Sequence, residues 1–268
     1  ALFHATRPVV AYHDGAPLER PGLPVVAAPT TAGTGAEVTF NAVLTDTATC
    51  SKKSIRADSM LRRTVILDPR LLATCPPAVV ATAGMDALTQ AIETFCSRKA
   101  TWLSSQLALK GLELIAATLA PVYANPGHPA GAELLLGSYL TGLALSHGRL
   151  GVVHGLAHPL GARFHQPHGL VCAVLLPHAL EFNRPALGDR YGIMSAAVGG
   201  DLLDVVQQLT RELHISSPFT GQGLQDTDPI VQETLSSGST ACNPRPVTRE
   251  DVLWWRRTFT EALMDETT

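Results

Sequence analysis

The hydrophobic period of the chain changes near residue 70, and this change restricts the possible folds more than any other feature. Before it, three short apolar runs bounded by Gly, Pro or Asp indicate strands at Leu23–Ala28, Asn41–Thr45 and Thr64–Leu67. After it, apolar residues recur with the helical period. We therefore expect an α/β portion over residues 1–70 and an all-helical domain over residues 71–268, without an internal repeat.

Proline, glycine and asparagine divide the helical part into segments. Pro76 and Pro77 suit a helix start, because proline lacks the N–H group that the first turn leaves unbonded. Thr248 is the predicted N-cap of the last helix. The predicted helices are Met85–Ser97, Trp102–Ala124, Ala130–Ser146, Leu202–Leu213 and Arg249–Met264.

Composition excludes several classes of protein. Apolar residues fill 46% of the 268 positions, which is enough to offset the entropy of ordering and excludes a disordered chain. The net charge of −3 includes no basic run, so nucleic-acid and membrane partners are not expected. No uninterrupted apolar run approaches the length of a membrane span. Five scattered cysteines without a CxxC pair favour a reducing cytoplasm.

Histidines are concentrated in one segment of the helical part. His154 and His158 are four residues apart and share a face if the segment is helical. We expect Pro159 and Gly161 to break that helix, so that the chain returns with His168 near the first two imidazoles. This geometry suits a divalent metal, although a polar surface loop fits the pattern equally well. The segment holds four of the ten histidines: His154, His158, His165 and His168.

A polar face is predicted on the helix Met85–Ser97. Asp86, Gln90 and Glu93 lie about opposite its apolar residues. Alone, this pattern indicates the solvated side of an amphipathic helix. A carboxylate and an amide oxygen one turn apart are also oxygen ligands that can complete a metal site with the histidines.

The segment Pro29–Thr39 directly follows the first predicted strand. Its sequence, PTTAGTGAEVT, combines small hydroxyl residues with two glycines. Such a turn lets backbone N–H groups approach an anion closely. It is neither a GxGxxG motif nor a P-loop, so its specificity alone is low.

Together, these three segments resemble the iron-containing (group III) alcohol dehydrogenase family. The motifs follow that family's order: PTTAGTG-E-T, DP-L, P-GMDALT-AIE, VHG-AHPLG and PHG. The later LLPHALEFN and NPRP segments match as well. The resemblance covers nearly the whole chain, and the combination is far more specific than any one motif.

The resemblance implies a dehydroquinate synthase-like fold, in which an α/β nucleotide-binding domain precedes an all-helical domain. It implies hydride transfer between a small alcohol or aldehyde and the nicotinamide of NAD or NADP. Fe(II) or Zn(II) would polarise the substrate oxygen. A cytoplasmic homo-oligomer is the usual form in the family.

Site residues follow from the resemblance position by position. His158 matches a histidine beside the nicotinamide and is the candidate relay for the alcohol proton. Gln90 stands where the family has a histidine, so we expect weaker metal binding or an altered metal preference. The implied metal ligands are Asp86, Gln90, His154 and His168. The implied cofactor contacts are Thr30, Thr31, Gly33, Thr34, Thr39 and Lys52, with Lys53 leaving the register of the lysine open.

Relative to the family, the sequence lacks the first strands of the nucleotide domain and their GGGS pyrophosphate turn. We therefore expect uncovered sheet edges and apolar faces, in a fragment or in a protein that has lost cofactor binding. Three functions stay open. They are a metal-dependent NAD(P)-linked alcohol dehydrogenase, a metal-independent reductase of a dicarboxylic oxo-acid resembling maleylacetate reductase, and a non-catalytic helical scaffold.

Overall fold

The structure is a computed structural model that describes residues 6–20, 22–46, 51–220 and 228–261. Side chains are described for these residues except 51–53 and 256–261. The described strands all lie in the first part of the chain, and long helices fill the remainder, as the change of period predicts. The boundary at residue 70 stays a prediction.

The α/β portion contains one short helix and two small two-stranded sheets. Strand β1 pairs in parallel with β4, and β2 pairs antiparallel with β3 so that Asn41 faces Arg56. Tyr12, Ile55 and Met60 form a small separate core under the hairpin. The elements are α1 (Val9–His13), β1 (Val26–Ala27), β2 (Asn41–Asp46), β3 (Ser51–Arg56) and β4 (Thr64–Val65).

The prediction of a buried strand at Leu23–Ala28 is wrong. Strand β1 covers only two of those residues, and Val26 is 63% exposed. Leu23, Val25 and Ile66 are also exposed. The physical reason is that, among the described residues, β1 and β4 pair only with each other and no helix packs over them. The expectation of uncovered apolar faces is confirmed.

The all-helical part contains nine helices within the described residues. The predicted helix Trp102–Ala124 has the predicted bounds, and Thr248 caps the last helix by accepting from the Asp251 N–H group. The helices are α2 (Pro77–Cys96), α3 (Trp102–Ala124), α4 (Gly131–Gly148), α5 (Val152–Phe164), α6 (His168–Leu187), α7 (Asp189–Val198), α8 (Leu202–Glu212), α9 (Asp228–Ser236) and α10 (Arg249–Glu261).

Helix α2 is the central helix of the core. It packs against α3, α4 and α6, so its apolar side and its polar side are both covered. Asp86, Gln90 and Glu93 are each at most 7% exposed. The interpretation of this side as a solvated face is therefore wrong, because α5 and α6 bring polar groups of their own against it.

Helix α3 is long and apolar enough to cross a membrane by length and composition. Its residues Ala108, Leu112, Ile115 and Leu119 are completely buried. They face α2 and α4, which are its main packing partners. Packing in the helical core thus accounts for the apolar residues on this side of α3, while 39% of its apolar window as a whole is buried.

Candidate metal centre

A close contact between α2 and α6 brings together the first two side chains of the site. Gly169 lies against the backbone of Thr82 on α2, where any Cβ atom would clash with the carbonyl group. This approach places His168, the first residue of α6, beside Asp86. Helix α5 brings His154 to the same point from the other side.

Three of the predicted metal ligands converge there. Asp86 Oδ1 lies 3.3 Å from His154 Nε2 and 3.7 Å from His168 Nε2. The rings of His154 and His168 are 5.3 Å apart between centroids. Asp86 and His154 are each about 2% exposed, so the floor of the site is shielded from water.

The outer nitrogen of His154 is held by a second carboxylate. Glu93 Oε2 lies 2.7 Å from His154 Nδ1, while Glu93 Oε1 accepts a hydrogen bond of 2.6 Å from the Val153 N–H group. An acceptor at Nδ1 fixes the proton on that atom and leaves Nε2 to face Asp86. Second carboxylates of this kind orient histidine ligands in metal sites.

The charges of these groups shift one another's pKa values. Burial opposes ionisation of Asp86, but the imidazoles of His168 and His154 and the amide of Gln90 lower its pKa to about 2. Burial likewise opposes protonation of His154, but Asp86 and Glu93 together raise its pKa to about 9. The pocket is therefore built around a positive charge between carboxylates.

A divalent metal fits the chemistry of this donor set. Asp86 Oδ1, His154 Nε2 and Gln90 Oε1 are buried without a hydrogen-bond partner among the described residues. Leaving such atoms unsatisfied costs about 1–3 kcal/mol each, which a bound cation would relieve. Carboxylate, imidazole and amide oxygen are all ligands of Fe(II) and Zn(II).

Gln90 lies at the site but on its edge. It sits one turn after Asp86 on α2, is 3% exposed, and lowers the pKa of the Asp86 carboxyl. Its amide oxygen is buried and has no hydrogen-bond partner among the described residues. The position is compatible with the predicted weak ligand, and the role stays a prediction.

A cleft of about 460 Å³ opens above these groups. His158 stands on its wall, one turn after His154 on α5, with its ring stacked 5.3 Å from that of His168. His158 also lines a neighbouring cavity, so this residue borders both spaces. This is the position that a proton relay requires.

The loop predicted to hold the cofactor only partly reaches the cleft. Thr34 and Thr39 line it. Thr30 is exposed elsewhere, Thr31 is half-buried, and neither lines the cleft. The side chain of Lys52 lies outside the described residues.

Both glycines of this loop have a packing role. A Cβ atom on Gly33 would come within 2.9 Å of Ala83 on α2. Gly35 has a φ of +60° and touches Gly142 on α4. Close helix packing therefore accounts for both glycines, and the predicted roles of Thr30, Thr31, Gly33 and Lys52 stay predictions.

The expected helix break at Pro159 and Gly161 is wrong. Helix α5 continues through both residues to Phe164 and ends at His165, which has left-handed backbone angles. The covered, tightly packed position of α5 keeps the helix intact: Gly155 lies directly against Thr240, and Leu156 and Leu160 are buried in the core. The return of the chain with His168 is still achieved, because the turn comes one helical turn later.

Sequence reasoning missed two residues of the site. Glu93 was grouped with a solvated face, although the carboxylate that follows Asp86 and Gln90 on one side of α2 was a usable signal. Cys172 was treated as one of five unremarkable cysteines. It follows His168 by one turn on α6, and its ligand atom lies within 4.8 Å of those of Asp86, His154 and His168.

Two family models match the chain over most of its length. Residues 1–69 match the model described as iron-containing alcohol dehydrogenase. Residues 80–257 match the model of the C-terminal part of the Fe-containing alcohol dehydrogenase family. The second match alone covers more than half of the chain.

Curated relatives are consistent with these matches. Lactaldehyde reductase of Escherichia coli (strain K12) is 36% identical over 251 residues, which cover 88% of this chain and 65% of the relative. Long-chain-alcohol dehydrogenase 1 of Geobacillus thermodenitrificans (strain NG80-2) is 38% identical over 205 residues, covering 72% of this chain and 51% of the relative. The chain spans less than two thirds of the length of these two relatives.

Solved structures share the fold. A crystal structure of 1,3-propanediol oxidoreductase superposes with a TM-score of 0.83 at 31% identity, over 90% of this chain and 67% of that one. Sulfoacetaldehyde reductase of Bifidobacterium kashiwanohense, in complex with NAD+, superposes with a TM-score of 0.89 at 25% identity. That match covers 97% of this chain and 71% of the other.

Proposed function

The chain belongs to the iron-containing alcohol dehydrogenase family, and on that premise we propose that it is an NAD(P)-dependent, metal-dependent alcohol dehydrogenase or aldehyde reductase. The observation that carries the proposal is the buried convergence of Asp86, His154 and His168 at the floor of a cleft. The unsatisfied polar atoms of Asp86 and His154 favour a metal-dependent enzyme over a non-catalytic scaffold.

The metal would be held by Asp86, His154 and His168, with Gln90 at the edge of the site. When bound, Fe(II) or Zn(II) supplies Lewis-acid stabilisation of the charge on the substrate oxygen. The chain itself keeps water away from the floor of the site, since Asp86 and His154 are almost fully buried. Glu93 holds His154 in the tautomer whose Nε2 atom can bind a cation.

The proton of the alcohol would leave through His158. Its ring stacks on His168 and borders both the cleft and the adjoining cavity. It can accept a proton at the substrate and release it on the other side. His158 is therefore the catalytic acid and base of the proposal.

The nicotinamide would lie along the cleft wall that carries Thr34 and Thr39. Both side chains offer hydroxyl groups that can hydrogen-bond to a carboxamide. The proposed cofactor, NAD or NADP, rests on the family resemblance, as do the further contacts at Thr30, Thr31, Gly33 and Lys52. The substrate is a small alcohol or aldehyde, and a homo-oligomer is the expected form.

A cytoplasmic location is part of the proposal. The described cysteines are all buried and form no disulfide. Thiols in this state suit a reducing compartment.

The test is aldehyde reduction by the full chain reconstituted with Fe(II) or Zn(II) under anaerobic conditions. Oxidation of NADH and of NADPH is followed by absorbance over a panel of aldehydes. We expect turnover that chelation abolishes and that Asp86→Asn lowers by orders of magnitude. Turnover that survives chelation would support the metal-independent reductase, and no turnover with any aldehyde would overturn the proposal.

A further inference from the structure

One thiol lies where the weak ligand Gln90 leaves the metal centre incomplete. Cys172 is completely buried on α6, one turn after His168, and its Sγ atom is 3.7 Å from His168 Nε2. Residues four apart on one helix point to the same side, so His168 and Cys172 can chelate one ion. The ligand atoms of Asp86, His154, His168 and Cys172 all lie within 4.8 Å of one another.

Three of the six separations match those of a coordination tetrahedron, and the other three are within 4.8 Å. Ligand atoms about 2.0–2.3 Å from a common centre are separated by edges of about 3.3–3.8 Å. The observed edges are 3.3 Å from Asp86 to His154, 3.7 Å from Asp86 to His168, and 3.7 Å from His168 to Cys172. The unsatisfied atoms of Asp86 and His154 point independently to a cation at this centre.

We infer that Cys172 is the fourth protein ligand of the metal and takes the place that Gln90 fills poorly. The inference rests on the metal dependence proposed above. A thiolate is a soft ligand, and it favours Zn(II) over Fe(II) at a site that otherwise offers oxygen and nitrogen. Binding displaces the thiol proton, which leaves with solvent.

Co(II) is the probe for this inference, because a thiolate ligand gives Co(II) an intense near-ultraviolet charge-transfer band. The full chain is titrated with Co(II) and compared with Cys172→Ser. Cys96→Ser is the matched control, since Cys96 is also buried but lies on α2 against Met194. We expect the band in the wild type and in the control, and its loss in Cys172→Ser. Zn(II) affinity in Cys172→Ser should fall by more than about a hundredfold, beyond the roughly 10–100-fold that loss of an outer-sphere partner causes.

The outcomes distinguish the claim that the chain binds a metal from the claim that Cys172 is one of its ligands. Co(II) binding without the charge-transfer band in the wild type itself overturns the role of Cys172 and leaves the metal centre standing. Absence of Co(II) and Zn(II) binding overturns both. The wild-type spectrum decides the matter even if a variant fails to fold.

A second, independent observation concerns Arg149, which lines the same cleft. Arg149 follows α4 with backbone angles of φ 66° and ψ −177°, a region that residues other than glycine rarely adopt. Its side chain is exposed and lines the cleft that Asp86 and His154 close below. Strained residues of this kind cluster at functional sites.

Arg149 shares the cleft with two further guanidinium groups, and one of them, on Arg62, donates to the backbone carbonyl groups of Thr39 and Met60. Arg56 on β3 also lines it, and burial together with the charge of Arg149 lowers the pKa of Arg56. Asp86 is the sole acidic residue on the described wall of the cleft, and its carboxylate already faces the two imidazoles. Within the described residues, neither Arg149 nor Arg56 forms an ion pair.

We propose that Arg149 and Arg56 bind an anionic group on the substrate, so that the preferred substrates are alcohols and aldehydes carrying a carboxylate or sulfonate. This deepens the proposed function by naming its substrate class. Guanidinium groups suit planar, bidentate binding of such anions. Both arginines line the same cleft as the metal-centre residues, which favours the substrate over a cofactor phosphate, because the reacting carbon must lie in that cleft.

The experiment compares butanal with 4-oxobutanoate, which differ by a terminal carboxylate. We expect a kcat/KM ratio of about ten or more in favour of 4-oxobutanoate, the value of one charge-assisted contact. Arg149→Gln should bring the ratio to about one, whereas Arg211→Gln, an exposed arginine on α8, should leave it unchanged. The KM for NADH and NADPH should not follow Arg149, since a rise confined to the cofactor would mean that the arginines bind its phosphates and would overturn the proposal.

Calorimetry keeps the two proposals distinguishable. The Zn(II)-loaded chain is titrated with 4-hydroxybutanoate and with 1-butanol, without cofactor. Tighter binding of the hydroxy acid that is lost in Arg149→Gln supports the anion site even if no aldehyde is reduced. Equal binding of the two alcohols, or equal aldehyde rates in the wild type, overturns it.

Discussion

Replacing Glu93 by Gln tests whether the site is organised around the tautomer of His154. Glu93 accepts from the Val153 N–H group through one oxygen and faces His154 Nδ1 with the other. A glutamine can keep only one acceptor. If its oxygen stays on Val153, its NH₂ group turns Nδ1 into an acceptor, and the imidazole proton moves to Nε2.

The magnitude follows from that displacement. A proton on Nε2 occupies the lone pair that points at Asp86, 3.3 Å away. A cation can bind this nitrogen only after displacing the proton, and the metal affinity is lower by the free energy of that displacement. Loss of a partner of this kind lowers metal affinity by about 10–100-fold, or about 1.4–2.7 kcal/mol. The raised pKa of His154 should also fall toward its ordinary value, because Glu93 supplies part of the shift.

The assay is competition for Zn(II) against a chromophoric chelator at fixed pH. Glu113→Gln is the matched control, since Glu113 is exposed on α3 and pairs only with Lys110. Circular dichroism confirms that both variants are folded. An affinity of Glu93→Gln within twofold of the wild type would refute the tautomer argument.

Three further predictions concern stability. Without metal, the pKa of His154 is about 9 in the folded chain against 6.5 in the unfolded chain. Its contribution of about 3 kcal/mol to the free energy of unfolding is therefore complete below pH 6.5 and is lost as the pH rises through 9. Urea unfolding of the metal-free chain at pH 7 and pH 10 checks this, and a stability that rises over this range contradicts it. Gly169→Ala should destabilise the fold by about 2 kcal/mol or more, because the added methyl group meets a carbonyl of α2. Gly192→Ala on α7 has open space around it and should stabilise the fold by up to about 1 kcal/mol. Equal effects of the two variants in thermal unfolding would count against the packing argument. Asn243→Ala should destabilise the fold by about 3 kcal/mol, because it leaves the buried Val152 N–H group and the Asn183 side chain without these hydrogen bonds. A loss below about 1 kcal/mol by urea unfolding would be inconsistent with that bonding.

Five of the nine helices described in the all-helical part could be predicted from the sequence, because their periods and end signals agree, whereas α6, α7 and α9 were not predicted. The prediction for α3 has the observed bounds, since Thr101 caps its start and Asn125 follows its end. The strands were less readable. Val26 looks buried by sequence, but exposure depends on which strands lie beside it, and that is a property of the assembled sheet.

The two histidines and Asp86 of the site could be predicted, whereas the roles of Glu93 and Cys172 could not. His154 and His168 follow from spacing and from the family pattern, and the structure brings both to Asp86. Burial of the polar side of α2 was not predictable, because an amphipathic pattern is the same whether water or other polar groups cover it. The position of Cys172 depends on the angle at which α6 crosses α2, which sequence spacing does not encode.

Zn(II) stoichiometry and affinity by isothermal titration, for the wild type and for Asp86→Asn, test the central claim most directly. The account predicts one ion per chain in the wild type. In Asp86→Asn, loss of the buried carboxylate between the two imidazoles should abolish binding or weaken it by at least about a hundredfold. No binding by the folded wild type, or equal binding by both proteins, would contradict the metal centre.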